Sequence, residues 1–125
     1  MKLSIKKILV PTDFSETAML ALQHAAFLAR LSKAEILIAH IIPPDDYHFE
    51  IPEPIMHIDN REQINKLVEQ KLAETAENVK VNYGISVNTM SATGKIANEI
   101  MQIARDEKTD IIIMGTHGAK GFEEL

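Results

Sequence analysis

Two short segments of the chain carry residues whose types and spacing suit ligand chemistry. The first is Pro11-Thr12-Asp13, which directly follows the apolar run Lys7–Val10. The second has glycines at positions 115, 118 and 121 and follows the apolar run Asp110–Met114. Glycine lets the backbone approach a ligand closely, and successive exposed N–H groups form an anion-binding nest. The two segments therefore indicate a phosphate-type ligand pocket between Asp13 and Gly115–Gly121.

Asp13 and His117 each have two interpretations. The Asp13 carboxylate could accept a hydrogen bond from a ribose or base, or help to hold Mg²⁺ beside phosphates. Its spacing slightly favours a purely structural role, an Asx turn or a cap for a helix that begins near Ser15. His117 lies within the glycine segment and could contact phosphate or only stabilise the loop, and Lys120 could add a positive charge.

Other polar patterns are weaker. Thr93-Gly94-Lys95-Ile96 resembles the end of a P-loop, but Thr89 stands where the first glycine is required and Ile96 replaces Ser or Thr. The five histidines show no metal-ligand spacing, and His40, inside an apolar run, is predicted to be packed rather than catalytic. No nucleophile with a base and an orienting partner can be assembled, so the sequence predicts no catalytic residues.

The elements that must position these residues follow an alternating pattern. Apolar runs predict strands at 7–10, 35–42 and 110–114, and an alternating pattern predicts a half-buried strand at 85–90, at a sheet edge. Helical periodicity predicts helices at 18–31, from 59 or 60 to about 78, and at 95–105. The resulting β-α-β-α-β-α-β order predicts an α/β fold with a parallel sheet, whose crevice lies at the carboxyl ends of the strands. Residues 43–57 hold most of the five prolines and read as an irregular stretch, either a lid or, more often, a surface excursion.

Composition narrows the class of protein. Apolar residues make up 46% and charged residues 25%, as in an ordinary globular domain, and the length fits a single domain, residues 1–125. The net charge of −5 disfavours nucleic-acid binding, and no apolar run is long enough for a membrane span. The absence of cysteine excludes disulfides and thiolate metal sites and fits a cytoplasmic location.

Two motifs closely resemble the universal stress protein family. They are Ile8-Leu9-Val10-Pro11-Thr12-Asp13-Phe14-Ser15 and Ile111-Ile112-Ile113-Met114-Gly115-Thr116-His117-Gly118, and Gly94 falls at the usual glycine before the third helix. The resemblance spans the whole chain. It implies a doubly wound, five-stranded sheet of the flavodoxin/Rossmann-like, adenine nucleotide alpha hydrolase-like type, in a cytoplasmic, stress-induced and typically dimeric protein. One branch of the family binds ATP and another does not; Asp13 with Gly115 and Gly118 favours the ATP-binding branch.

The resemblance also implies a ligand set. Adenine and ribose would lie at Pro11, Thr12, Asp13 and Ile41, and the phosphates at Gly115 and Gly118 with Met114 and His117 alongside. The cofactors would be ATP, with ADP or AMP as alternatives, and Mg²⁺ at Asp13. The family's phosphate motif continues, nine residues after its second glycine, with Gly and Ser or Thr, which would lie beyond Leu125. We therefore expect a C-terminally incomplete domain that lacks the last strand and helix.

Three functions remain open at this point. The first is a stress-response regulator in which an adenine nucleotide controls conformation or partner choice, with at most slow ATP hydrolysis. The second is a dimeric interaction module of the same fold that binds no nucleotide. The third and weakest is an enzyme that transfers or cleaves phosphate, which the fold alone cannot support.

Overall fold

The protein is described by a computed structural model over residues 4–44, 48–52, 55–59 and 61–115. In chain order these residues form β1 (Lys7–Pro11), α1 (Glu16–Ser32), β2 (Glu35–Ile42), β3 (His48–Pro52), β4 (Ile55–Asp59), α2 (Arg61–Tyr83), β5 (Val87–Thr93), α3 (Ile96–Asp106) and β6 (Ile111–Ile112). Within the described ranges, each helix is too short or too polar to cross a membrane.

Four of the strands form one parallel sheet in the order β5-β2-β1-β6, which confirms the α/β fold. In this sheet Leu9 of β1 pairs with Leu37 of β2 on one side and with Ile112 of β6 on the other. The chain winds outward from β1 through β2 to β5, and α3 then returns it to the opposite side of β1. The strand order therefore reverses between β1 and β6, which is where open α/β sheets bind their ligands.

Both faces of this sheet are covered, which explains why its inner strands read as continuous apolar runs. Ile8 and Val10 of β1 pack into a core shared with α1 and α2, whereas Leu9 packs into a second core with residues of α3. All three side chains are 0% exposed. Each buried aliphatic side chain of this kind contributes about 1.5–3 kcal/mol through the hydrophobic effect, so β1 is the most firmly held element beside the predicted pocket.

The prediction of an irregular stretch at 43–57 was wrong in part. β3 and β4 form an antiparallel pair, with Glu50 opposite His57 and Pro52 opposite Ile55. Proline suppresses a strand prediction because it cannot donate to the ladder, but it is tolerated at the end of a strand. Pro52 occupies that position here, and two residues separate the strands.

Several element boundaries also differ from the predicted ones. α2 continues past residue 78 to Tyr83 and ends at Gly84, whose φ of 65° and N–H bond to the Lys80 carbonyl are typical of a helix C-terminus. β5 covers 87–93 rather than 85–90, although it does lie at the sheet edge as predicted. β6 is restricted to Ile111–Ile112 rather than 110–114.

Asp110 lies just before β6 and fastens the start of that strand to β1. Its carboxylate accepts hydrogen bonds from the backbone N–H groups of Lys6 (2.8 Å) and Lys7 (3.0 Å). These two hydrogen bonds, that of Lys6 first, favour the ionised form and lower the pKa of the Asp110 carboxyl below its ordinary value. This contact lies at the amino ends of the strands, opposite the predicted ligand crevice.

Candidate functional site

The loops that follow β1 and β6 meet at the carboxyl edge of the sheet. Gly115 provides the direct evidence, because a Cβ atom there would lie 3.0 Å from the Thr17 carbonyl oxygen and 3.1 Å from the Thr17 carbonyl carbon. Both atoms belong to the backbone of the first turn of α1. A side chain at position 115 would be packed tightly against this backbone, so glycine suits the close approach of the β6 loop to the start of the helix that follows Asp13.

The segment Pro11–Ser15, here called the Asp13 segment, is shaped by its own side chains. The Phe14 N–H donates to Thr12 Oγ1 (3.0 Å), and the Ser15 N–H donates to Asp13 Oδ1 (2.9 Å). These bonds curl the backbone over two successive residues. They hold Phe14 at a φ of 64°, a left-handed conformation that is uncommon outside glycine.

Asp13 therefore has the structural role that its spacing slightly favoured, an Asx turn. That turn uses Oδ1, whereas an ionised carboxylate has two oxygens and about four lone-pair sites. The turn consequently leaves capacity for a ligand hydroxyl or a cation, and it fixes the direction of the carboxylate. Ligand and Mg²⁺ binding by Asp13 remain predictions.

Ser15 caps α1 at the predicted helix start, since its Oγ accepts a hydrogen bond from the Ala18 N–H at 3.2 Å. Glu16 stands in the first turn of the helix, where a negative charge is favourable. The first turn of α1 is thus built at the edge of the crevice, beside Gly115. Helix N-termini carry partial positive charge and unpaired N–H groups, which suit anionic ligand groups.

Pro11 and Thr12 are buried at the carboxyl end of β1, next to this edge. Pro11 ends β1 and is buried, and Thr12 is 1% exposed with its N–H bonded to the Ala39 carbonyl at 2.8 Å. The Thr12 side chain is buried and its Oγ1 accepts a hydrogen bond from the Phe14 N–H. A ligand contact at Thr12 would therefore involve mainly its backbone. The structure thus places Pro11, Thr12 and Asp13 at the carboxyl end of β1, as predicted from the apolar run that precedes them.

His40 is a neighbour of the site that the sequence did not assign to it. The parallel register pairs Pro11 with Ala39, so His40 stands beside Thr12. Its Nδ1 lies 2.7 Å from the Thr12 carbonyl oxygen, and its ring lies 4.9 Å from the Phe14 ring. The prediction that His40 is packed is correct, but the packing is against the Asp13 segment. This contact follows from the register of β2 on β1, which the sequence alone does not reveal.

Ile41 and Met114 lie on the other face of the sheet. Ile41 is 5% exposed within the core shared with α3, and Met114 is half-buried against the same core. Their side chains therefore pack against apolar neighbours, and a ligand contact at Ile41 would come from its backbone. His117 and Gly118 lie outside the described residues, as do Lys120 and Gly121.

A metal ion held by protein side chains alone needs several of them close together. No group of three or more metal-ligating side chains occurs in the described ranges of the chain. The prediction of Mg²⁺ at Asp13 therefore rests on that carboxylate and not on a cluster of side chains.

A separate cavity of about 550 Å³ opens at the opposite end of the sheet, where α1 and α2 end. Its charged lining residues are Lys6, Arg30, Lys33 and Glu35. Helix C-termini carry partial negative charge, so basic residues there complement the two helices. This lining is explained by the helix ends and lies away from the crevice.

These features define a doubly wound α/β protein whose strand order reverses between β1 and β6, the place of the predicted ligand site. A sequence model of the universal stress protein family matches residues 4–125. The chain belongs to the universal stress protein family, as its motifs predicted.

Individual relatives agree with this assignment. Universal stress protein MJ0577 of Methanocaldococcus jannaschii is 35% identical over 139 residues, which cover 100% of this chain and 85% of that protein. The solved structure of MJ0577 has a TM-score of 0.70 at 36% identity and is matched over 98% of this chain and 83% of its own.

Two more distant structures show the fold alone. UspA from Lactobacillus plantarum has a TM-score of 0.76 at 19% identity, with 99% of this chain and 86% of that chain covered. A universal stress protein crystallised in complex with cAMP has a TM-score of 0.66 at 18% identity, with 88% and 72% covered.

Proposed function

We propose that this protein binds an adenine nucleotide, ATP with Mg²⁺ or else ADP or AMP, in the crevice between β1 and β6. The observation that carries the proposal is the close approach of Gly115 to the Thr17 backbone. This approach brings together the capped start of α1, the Asp13 carboxylate and the backbone at Gly115. All three lie at the carboxyl edge of the sheet, where open α/β folds bind nucleotides.

In this proposal the Asp13 carboxylate accepts from the ribose hydroxyls or shares a Mg²⁺ ion with the phosphates. The phosphates lie toward Gly115 and the first turn of α1, where backbone N–H groups favour negative charge. The cAMP complex of a distant relative supports the choice of an adenine nucleotide, although that protein is similar to this chain only in fold. Bound nucleotide would then set the conformation that partners recognise, as expected of a stress-response regulator with at most slow hydrolysis.

The test is calorimetric titration of the protein with ATP and Mg²⁺, together with mass spectrometry of nucleotide released on denaturation. Asp13→Asn is the informative variant, because an amide oxygen can still accept from the Ser15 N–H while the negative charge is lost. We expect affinity to fall about tenfold or more, as for a lost charge-assisted hydrogen bond, with an unchanged melting temperature.

Asp106→Asn is the matched control, since the Asp106 carboxylate accepts a hydrogen bond from Gln102 on the exposed surface of α3, away from the proposed site. Its affinity for ATP should equal that of the wild-type protein. Neither co-purified nucleotide nor binding of added ATP, ADP or AMP by the wild-type protein would refute the proposal.

A second candidate, a dimeric interaction module, is favoured by the outer face of α1. Leu20, Phe27 and Leu31 recur at helical spacing there and are 54%, 52% and 67% exposed. Large apolar side chains grouped on one surface are typical of protein–protein contacts. Sedimentation of the wild-type protein and of Phe27→Ser would test this; a monomer at every concentration would exclude a homodimer through this face.

A further inference from the structure

His40, in β2, is an ionisable side chain that contacts the Asp13 segment through a hydrogen bond. A carbonyl oxygen can only accept a hydrogen bond, so the 2.7 Å contact requires that His40 Nδ1 carries the proton and donates to the Thr12 carbonyl. This holds for both the neutral and the charged imidazole. The role of Nδ1 is therefore fixed by its partner, whatever the state of Nε2.

The Asp13 segment needs such a restraint from outside. Its internal bonds, from Phe14 N–H to Thr12 Oγ1 and from Ser15 N–H to Asp13 Oδ1, each span two residues. Such local turns form in many backbone contexts and do not fix the segment relative to the sheet. In addition, Phe14 is held at a positive φ, a conformation that persists only where neighbouring structure enforces it.

Four contacts from β2 and α2 supply that enforcement. The Thr12 N–H donates to the Ala39 carbonyl, and the Thr12 carbonyl accepts from His40. Both backbone polar groups of Thr12 are therefore bonded to β2. The His40 ring also lies 4.9 Å from the Phe14 ring at an angle of 34°. From α2, Lys71 Nζ lies 5.3 Å from the centroid of the Phe14 ring, within cation–π range.

We propose that His40 is a positioning residue for the ligand site: its Nδ1–H bond to the Thr12 carbonyl, with its ring against Phe14, orients the Asp13 carboxylate toward the crevice. The inference rests on the proposed function for its ligand, but the ordering of the segment can be measured without any nucleotide. His40 touches no reacting atom in this account and acts only through the backbone that carries Asp13.

The test compares His40→Leu, which removes the donor, with His40→Asn, whose side-chain N–H₂ stands near the position of Nδ1 and can still donate. His24→Leu is the control, because His24 is an exposed histidine on α1. Two quantities are measured for each variant: the affinity for ATP, and the hydrogen-exchange rates of the Phe14 and Ser15 amides by NMR. Long-range nitrogen spectra of the wild-type protein report which ring nitrogen is protonated.

We expect His40→Leu to weaken ATP binding and to speed exchange of both amides by about five- to tenfold, as for one lost hydrogen bond. His40→Asn should restore both toward wild type, and His24→Leu should change neither. If wild-type protein binds no ATP but exchange follows this pattern, the proposed function fails and the positioning role stands.

Wild-type exchange rates in His40→Leu, or equal losses in His40→Leu and His40→Asn, would overturn the positioning role. An Nδ1 without a proton in the wild-type spectra would overturn it as well. Where His40→Leu fails to fold, His40→Phe keeps a ring against Phe14 while removing the donor, and the same comparisons apply.

Discussion

Gly115→Ala should separate the packing of the site from the overall stability of the sheet. The added methyl group would lie 3.0–3.3 Å from three backbone atoms of Thr17 and Ala18, and backbone cannot rotate away as a side chain can. Overpacking of this kind costs about 1–3 kcal/mol, or a melting temperature lower by roughly 4 °C for each kcal/mol in a domain of this size. The strain would be relieved by moving the β6 loop away from α1, so ATP affinity should also fall, by about tenfold if the movement costs one charge-assisted hydrogen bond.

Gly84→Ala provides the contrast for this experiment. A Cβ atom there would meet no atom within 4 Å, but the residue has a φ of 65°, so alanine would be strained by about 1 kcal/mol. It lies at the other end of the sheet and should lower the melting temperature without changing ATP affinity. Differential scanning calorimetry measures the melting temperature of both variants, and calorimetric titration measures their affinity for ATP. A Gly115→Ala protein with wild-type stability and affinity would refute the close packing of the two loops.

Three further predictions concern the elements that carry the site. Asp110 has a lowered pKa in the folded protein, so its stabilising effect is complete above the unfolded pKa near 3.8 and is lost as pH falls through the lower folded pKa. The difference in urea midpoint between wild type and Asp110→Asn should therefore shrink below about pH 4. A difference that stays constant with pH would contradict this role of Asp110. Ser15→Ala removes the N-cap bond of α1 and should lower the free energy of unfolding by about 1 kcal/mol in urea titrations, with Thr75→Ala, an exposed hydroxyl within α2, as the control that changes it less. Leu9→Ala, at the 0% exposed centre of the sheet, should lower it by about 2–5 kcal/mol, and a loss under 1 kcal/mol would mean that β1 is not the central strand.

The sequence was sufficient for the parts of the fold that depend on local pattern. The apolar runs at β1, β2 and β6 predicted covered parallel strands, because a strand buried on both faces has no alternation to obscure it. The prediction of a helix that begins near Ser15, which rests on local preferences, was confirmed.

Other features depend on which strands become neighbours, and local pattern contains no such information. The bond from His40 to Thr12 exists only because Ala39 pairs with Pro11 in the β1–β2 register. The β3–β4 pair was missed because proline at Pro52 obscured a short strand whose partner follows after only two residues. Burial of Ile41 toward α3 likewise follows from the position of the helix and not from the strand's own sequence.

The proposed site joins β1 to β6, which is held to β1 by two sheet pairs and by the bonds of Asp110 to Lys6 and Lys7, and a bound ligand would act on that contact. β1 is paired on both sides and is buried from Ile8 to Pro11, whereas β6 pairs with it at two positions in the described sheet, Ile8 with Ile111 and Leu9 with Ile112. The residues from Ile111 to Gly115 remain half-exposed. Regions with few buried contacts open locally at lower free energy than the core. A nucleotide held by both the Asp13 segment and Gly115 would bind only while β6 is docked, so it would stabilise that docking by mass action and leave the β1–β2 half almost unchanged. A nucleotide bound in this way would therefore act on the pairing of β1 with β6 rather than on the buried pairing of β1 with β2.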